Sequence, residues 1–350
     1  KHKSDSSSSC IDLTLDHSIS LPPKISSRSK SSSIMTSHSI GSYQTSSQKR
    51  GFATQLFSKK TNDDDHREKS VSPFSICTWN VWFENTHNRQ RMLRISQRIA
   101  DKNPTFVGFQ EVTPELFSYL RSTLEDIGYE LFLQPNVAYG CAIAVSKNDG
   151  TRTISNGFEP YRHTIMSRGL LWVEAHVPEV NGSIWFGTTH LESYIPGNDG
   201  STNRQHQIRQ VTKFCETEAR SSESKGMIIT GDLNWDDERK RSTGPDPNLL
   251  SLVNNNNNLH WQDAWLVNKA GQDGYTYDSK ENPMLRGNLR RRFDRCLSYF
   301  PKNDENNQNE LGIHAAELVG KEEIEGFSYK KQIQPWGKPN APVSYQVRPL

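Results

Sequence analysis

Four short polar clusters in this chain stand at the ends of apolar runs. They are Thr78-Trp79-Asn80, Gln110-Glu111, His190-Leu191-Glu192-Ser193 and Gly231-Asp232-Leu233-Asn234, and a fifth, Arg292-Phe293-Asp294-Arg295, lies nearer the C-terminus. The residue types suit metal-assisted phosphodiester hydrolysis. A magnesium ion takes hard oxygen ligands, usually one or two carboxylates, and leaves other positions to water and substrate phosphate. Glu111 is the candidate metal ligand, with the Asn80 amide oxygen beside it. Asp232 and Asn234, two residues apart, point to one side of an extended segment and can hold the attacking water. His190 and Ser193 suit the phosphate oxygens, where charge grows in the transition state. Magnesium, or manganese in its place, would serve as Lewis acid and template.

Rigid elements must deliver these groups. The runs Phe74–Cys77, Phe106–Phe109, Ile184–Gly187 and Met227–Thr230 read as buried strands, each ending on a site residue. Such endings put polar groups at the rim of a sheet. Further strands are expected at 129–134, 140–146, 168–177, 183–190 and 226–231. Apolar spacing predicts helices over 89–101, 114–127 and 203–220, the second opened by Pro114 and closed by Gly128. Helices that cover sheets rather than one another imply a four-layer α/β/β/α sandwich.

Composition bounds the rest. Hydrophobic residues make up 33% of 350 and the formal net charge is +2, so nucleic-acid affinity needs local clusters such as Arg286, Arg290, Arg291, Arg292 and Arg295. A solvated strand edge is the competing reading of that run. Eighteen serines fall within the first 50 positions. A segment so polar cannot bury enough apolar surface to offset its ordering entropy, and residues 1–71 are expected to be a disordered tail ahead of one catalytic domain, 72–350. Within the tail Ile11–Leu15 alternates aliphatic and polar residues, the pattern of a SUMO-interacting strand; a chance apolar patch is the alternative. Five cysteines without ligand spacing fit a reducing compartment and neither a disulfide framework nor a zinc site. No stretch approaches the ~20 apolar residues of a membrane span. The nucleus is the expected location, with mitochondrion and cytoplasm as alternatives.

The ordered clusters resemble the endonuclease/exonuclease/phosphatase superfamily with its DNase I-like fold. The strings His-Leu-Glu-Ser (190–193), Tyr-Thr-Tyr-Asp (275–278) and Arg-Phe-Asp-Arg (292–295) narrow the likeness to its tyrosyl-DNA phosphodiesterase branch, in the plant-type form. Ser-Arg-Gly-Leu (167–170) and Asp-Ala-Trp (263–265) also match. The resemblance implies hydrolysis of 5′-phosphotyrosyl bonds between topoisomerase II and DNA ends, in double-strand break repair. It implies Glu111 as magnesium ligand, Asn80 near metal and phosphate, Asp232 with Asn234 as the catalytic pair, and His190 and Ser193 on the phosphate. DNA with 5′-phosphotyrosyl ends, single-stranded DNA and topoisomerase II adducts are the implied partners. Other enzymes of the fold, such as abasic endonucleases, deadenylases and lipid or inositol phosphatases, are the rivals. A non-catalytic DNA- or SUMO-binding adaptor is the alternative from another class.

One departure stands out. The superfamily pattern closes on a Ser-Asp-His strand whose histidine Asp294 would orient, and no Ser-Asp-His occurs in this sequence. Truncation at both ends, with the last strand of the domain missing, is the expected explanation; an inactive protein is the other. Among the remaining candidates, Trp82, Phe83, Tyr275 and Tyr277 either stack bases or pack on strands. Arg204 and Gln207 either brace the His190–Ser193 loop or touch the DNA backbone, and Arg292 is a candidate substrate contact. Glu192 is expected to orient its neighbours, while Asp236 and Asp237 read as solvated turn residues.

Overall fold

The computed structural model describes residues 55–60, 74–195, 197–221, 224–238, 246–255, 260–285, 288–301, 310–333 and 341–346. The Ile11–Leu15 motif, Arg286 and most of 1–71 lie outside them. In chain order the elements are β1 (Gln55–Lys60), β2 (Phe74–Asn80), α1 (Asn88–Lys102), β3 (Phe106–Val112), α2 (Pro114–Asp126), β4 (Tyr129–Leu133), β5 (Gly140–Ser146) and β6 (Arg152–Pro160). There follow β7 (Gly169–Val177), β8 (Gly182–His190), α3 (Ser201–Ser221), β9 (Gly226–Asp232), α4 (Leu249–Asn254), β10 (Gln262–Asp263), α5 (Ala264–Asn268), β11 (Tyr277–Asp278), β12 (Arg290–Arg291) and β13 (Asp294–Tyr299). The last are β14 (Glu310–Ala315), β15 (Ser328–Ile333) and β16 (Ala341–Gln346).

Two six-stranded sheets, ordered β14-β1-β2-β3-β5-β4 and β10-β13-β9-β8-β7-β6, pack face to face. Between them lie Phe74, Ile76, Phe106, Ile143, Val173, Ile184, Phe186 and Ile228, all buried. The rings of Phe106 and Phe186 stack across the sheets at 5.0 Å, a contact worth about 1 kcal/mol beyond the area it buries. Gly108 lets the layers close: a Cβ there would sit 2.6 Å from Thr188 Oγ1 and 2.7 Å from Thr230 Oγ1.

The helices cover the outer faces. On α1, Met92, Ile95 and Ile99 are buried at i, i+3, i+7 spacing, and on α2, Leu116, Leu120 and Leu124 repeat every four residues. Both helices press on Val107, Phe109, Ala142 and Ala144. Thr113 caps α2 by accepting from Leu116 N at 3.2 Å, with Pro114 as the first helical residue. Ile208, Val211 and Cys215 of α3 cover Trp185, Met227 and Ile229 on the other side. The four layers are therefore α/β/β/α, the DNase I-like order.

Three features go beyond the sequence reading. Strand β1 lies inside the segment assigned to the tail and pairs antiparallel with β2 and β14, so the sheet begins seventeen residues before position 72. Strand β6 alternates half-buried and exposed residues, with no apolar run to announce it. Cys77, Cys141, Cys215 and Cys296 are free thiols, the last three buried. Among the described residues no helix is long and apolar enough to cross a membrane.

Candidate active site

Strands β2 and β3 run parallel with Asn80 opposite Gln110, and β8 and β9 run parallel with His190 opposite Asp232. Asp294, at the start of β13, pairs with Asp232 from the other side. The C-terminal ends of four strands and the start of a fifth thus meet at one rim. Gln110, fully buried, ties the two sheets beneath it by donating to Thr78 Oγ1 at 3.1 Å and Thr188 Oγ1 at 2.8 Å.

Local backbone turns the key side chains into this rim. Glu111 has φ +61°, a left-handed conformation costing about 1–2 kcal/mol for a residue with a Cβ, at an irregularity between Phe109 and Val112. Strict alternation would send Glu111 away from the side Gln110 faces; the kink brings its carboxylate to Asn80. Gly231, at φ +133°, carries the chain past Thr189, whose carbonyl oxygen lies where any Cβ would fall. Asn234 also adopts positive φ, and its backbone N–H donates to Asp232 Oδ1 at 2.9 Å.

The assembled group is tight. Asn80 Nδ2 donates to Glu111 Oε1 at 3.1 Å and to Asp232 Oδ2 at 3.0 Å. Phe83 N donates to Glu111 Oε2 at 3.2 Å. His190 Nε2 lies 3.6 Å from Asp232 Oδ2 and 3.5 Å from Ser193 Oγ. Asn234 Nδ2 donates to Ser193 Oγ and to Leu191 O, both at 3.1 Å. One donor atom each from Glu111, His190 and Asp232 lie within 4.8 Å of one another.

Electrostatics favour a cation. Burial raises the Glu111 and Asp232 carboxyls above their ordinary range, partly offset by the amide of Asn80. Burial and the nearby Asp232 charge push Asp294 up to about 7, and its Oδ1 is buried with no hydrogen-bond partner. Burial, then the Arg168 charge, drive His190 well below its usual value, so the ring is neutral. Three acids raised together at one rim fit a divalent ion, and two carboxylate donors match magnesium or manganese. Glu111 and Asp232 would hold it.

Several expectations need correction. The Asn80 oxygen accepts from Trp82 N at 3.0 Å and its NH2 group bridges two carboxylates, so here the amide nitrogen, not the oxygen, faces the acids. Of the two readings of Arg204, the contacts favour the brace over the DNA contact: it is fully buried, donating to Glu192 O at 3.0 Å and pairing with Asp246 at 3.0 Å. Arg292 spends its Nη1 on both oxygens of buried Asp263, at 2.9 and 2.8 Å. The neighbouring arginines are likewise paired: Arg290 with Asp278 at 3.0 Å, Arg291 with Asp236 at 2.7 Å and Arg295 with Asp237 at 3.2 Å. Among the described residues of the basic run, Arg290, Arg291, Arg292 and Arg295 are each paired with a carboxylate of the fold. Asp236 is buried, contrary to the solvated turn expected of it.

Tyr277 packs edge-on against Phe293 at 5.8 Å, beside Asp294. Trp82 takes the Arg91 guanidinium over its ring at 5.1 Å and packs on Met284 and Ile324 at the edge of the site. Arg168 went unassigned in sequence although Ser167-Arg168-Gly169-Leu170 marked it. Its Nη2 lies 3.4 Å from Ser193 Oγ and 3.3 Å from the Tyr139 hydroxyl, and its charge draws the Glu111 and Asp232 pKa values back down.

Comparison with known proteins agrees with this geometry. Residues 77–299 match the Endonuclease/Exonuclease/phosphatase family. Human tyrosyl-DNA phosphodiesterase 2 is 28% identical over 243 residues, 69% of this chain, which spans 61% of the human protein's length. A D. rerio TDP2 complexed with single strand DNA product superposes with TM-score 0.58 at 23% identity, over 72% of this chain and 92% of that one. A Bacteroides thetaiotaomicron mannosyl-6-phosphatase shares the fold at TM-score 0.51 and 14% identity, over 65% and 85%. With its strand-end site and a family match across most of its length, the chain belongs to the endonuclease/exonuclease/phosphatase family.

Proposed function

We propose that this protein is a magnesium-dependent phosphodiesterase that hydrolyses the 5′-phosphotyrosyl bond between topoisomerase II and DNA ends, in nuclear double-strand break repair. The observation that carries the chemistry is the convergence of Glu111, His190 and Asp232 within 4.8 Å. The choice of substrate rests on the likeness to human tyrosyl-DNA phosphodiesterase 2 and on the strings at 190–193, 275–278 and 292–295. A metal held by Glu111 and Asp232 would supply Lewis acidity toward a phosphate oxygen.

The chain's own groups divide the remaining work. Asp232, with Oδ1 held by Asn234 N and Oδ2 by Asn80 Nδ2, is oriented to accept a proton from the attacking water. Neutral His190, with Nε2 facing Asp232, carries its proton there and donates to a phosphate oxygen. Ser193 and Arg168 stand beside it, one hydroxyl and one fixed cation aimed where negative charge develops. Asn80 keeps the two carboxylates in one orientation.

Turnover of a 5′-phosphotyrosyl oligonucleotide, set beside abasic and poly(A) substrates, tests this reading. Preference for the first is expected. Magnesium-dependent cleavage of an abasic or poly(A) substrate alone would refute the substrate, and no cleavage of any would favour an adaptor. SUMO binding through Ile11–Leu15 is a separate proposal, tested by titrating SUMO with a peptide of residues 4–20; no shift at millimolar peptide ends it.

A further inference from the structure

We infer that Glu192 is a positioning residue for this reaction: its buried carboxylate fixes the loop 163–168 and so holds Arg168 at the phosphate site. The inference rests on the phosphodiesterase reading above. Glu192 lies two residues beyond His190, is 1% exposed, and has both carboxylate oxygens occupied by protein donors. Oε1 accepts from Met166 N at 2.9 Å and Ile165 N at 3.2 Å; Oε2 accepts from Ile165 N at 3.2 Å and Gln207 Nε2 at 2.8 Å. A buried carboxylate is retained at such cost when its acceptors are filled.

Gln207 locks the arrangement from α3. Its oxygen accepts from Glu192 N at 2.8 Å and its nitrogen also donates to His163 O at 2.7 Å, so the amide has one orientation. The strand end, the loop and the helix are joined through these two side chains. The loop needs such a clamp: Ser167, just before Arg168, sits at φ +56°, a conformation that persists only when its surroundings impose it. Thr164 Oγ1 accepts from Arg168 N at 2.9 Å, carrying the constraint to the residue that reaches Ser193.

Glutamine at 192 keeps the shape and removes one acceptor. In either orientation its NH2 group would face an N–H donor, because Gln207 cannot turn without losing both of its own bonds. The loop should loosen and Arg168 should drift from Ser193.

The experiment compares Glu192→Gln, Arg168→Ala and the double variant in the full chain, by kinetics on a 5′-phosphotyrosyl oligonucleotide and by hydrogen exchange of peptides covering 162–168. Loosening a donor whose removal costs about 100–1000-fold is expected to lower kcat about tenfold, with half-saturating magnesium unchanged. Exchange across 162–168 should accelerate. The double variant should be within about twofold of Arg168→Ala, since two steps of one path do not multiply. Multiplying costs, a raised magnesium requirement, or unchanged exchange would overturn the inference. If Glu192→Gln does not fold, Gln207→Leu is read by the same measures. A wild-type chain without turnover sinks the substrate reading only, and exchange still judges the clamp.

Discussion

His190 Nε2 stands 3.6 Å from Asp232 Oδ2 across a parallel strand pair in which the two residues are direct partners. Partners in register share a face of the sheet, so backbone pairing itself brings imidazole and carboxylate together. Asn80 then reaches across from the other sheet to bridge Asp232 and Glu111. Two sheets contribute to one site, and its geometry depends on how closely they pack.

The two carboxylates should fail differently. If the proposed metal site is right, Glu111→Ala is expected to cut activity at least about 100-fold and raise the magnesium requirement, because a bound ion would stabilise developing charge. Asp232→Asn should weaken the metal site too, yet stay inactive at saturating magnesium because the proton acceptor is gone. Turnover against magnesium concentration separates them; rescue of the Asp232 variant by excess metal would contradict its role as proton acceptor.

Asp294 links pH to stability. Its folded pKa of about 7 exceeds the unfolded value of about 3.9, so the folded state holds the proton more tightly. The stability this contributes is full below the unfolded value and is lost as pH rises toward 7. Asp294→Asn should therefore stabilise metal-free protein at pH 8 by about 1–4 kcal/mol and do little at pH 4. Urea midpoints at both pH values in chelator check this; an equal shift at the two would refute it.

Arg204 and Asp246 form a fully buried ion pair that also takes Asp236 N and Ser201. Arg204→Ala is expected to cost about 3–5 kcal/mol, because it strands a buried carboxylate. Denaturant unfolding measures the loss, and a cost below about 1 kcal/mol would mean that Asp246 finds another partner or a proton.

The paired arginines should contribute little to DNA affinity. Alanine at Arg290, Arg291 or Arg292 is expected to change the salt dependence of single-strand binding by less than the slope of about 0.7 that one phosphate contact gives. A loss of about 0.7 at any of them would show that the pair opens on DNA.

Much was legible before any coordinates. Apolar runs ending on Asn80, Glu111, His190 and Asp232 announced strands, and periodic Met92, Ile95 and Ile99 or Leu116, Leu120 and Leu124 announced helices, because burial imposes local periods of two and 3.6. Residue chemistry alone picked out the acids that could hold a hard cation. What tertiary structure decided depends on groups distant in sequence. Arg291 meets Asp236, 55 residues away, and Arg292 meets Asp263, 29 away, so no local pattern distinguishes their neutralised pairs from a DNA-binding patch. The left-handed turn at Glu111, the rotation of the Asn80 amide and the approach of Arg168 to Ser193 likewise exist only once two sheets have closed on each other. Sequence named the groups at the rim; sheet packing fixed which way each one points.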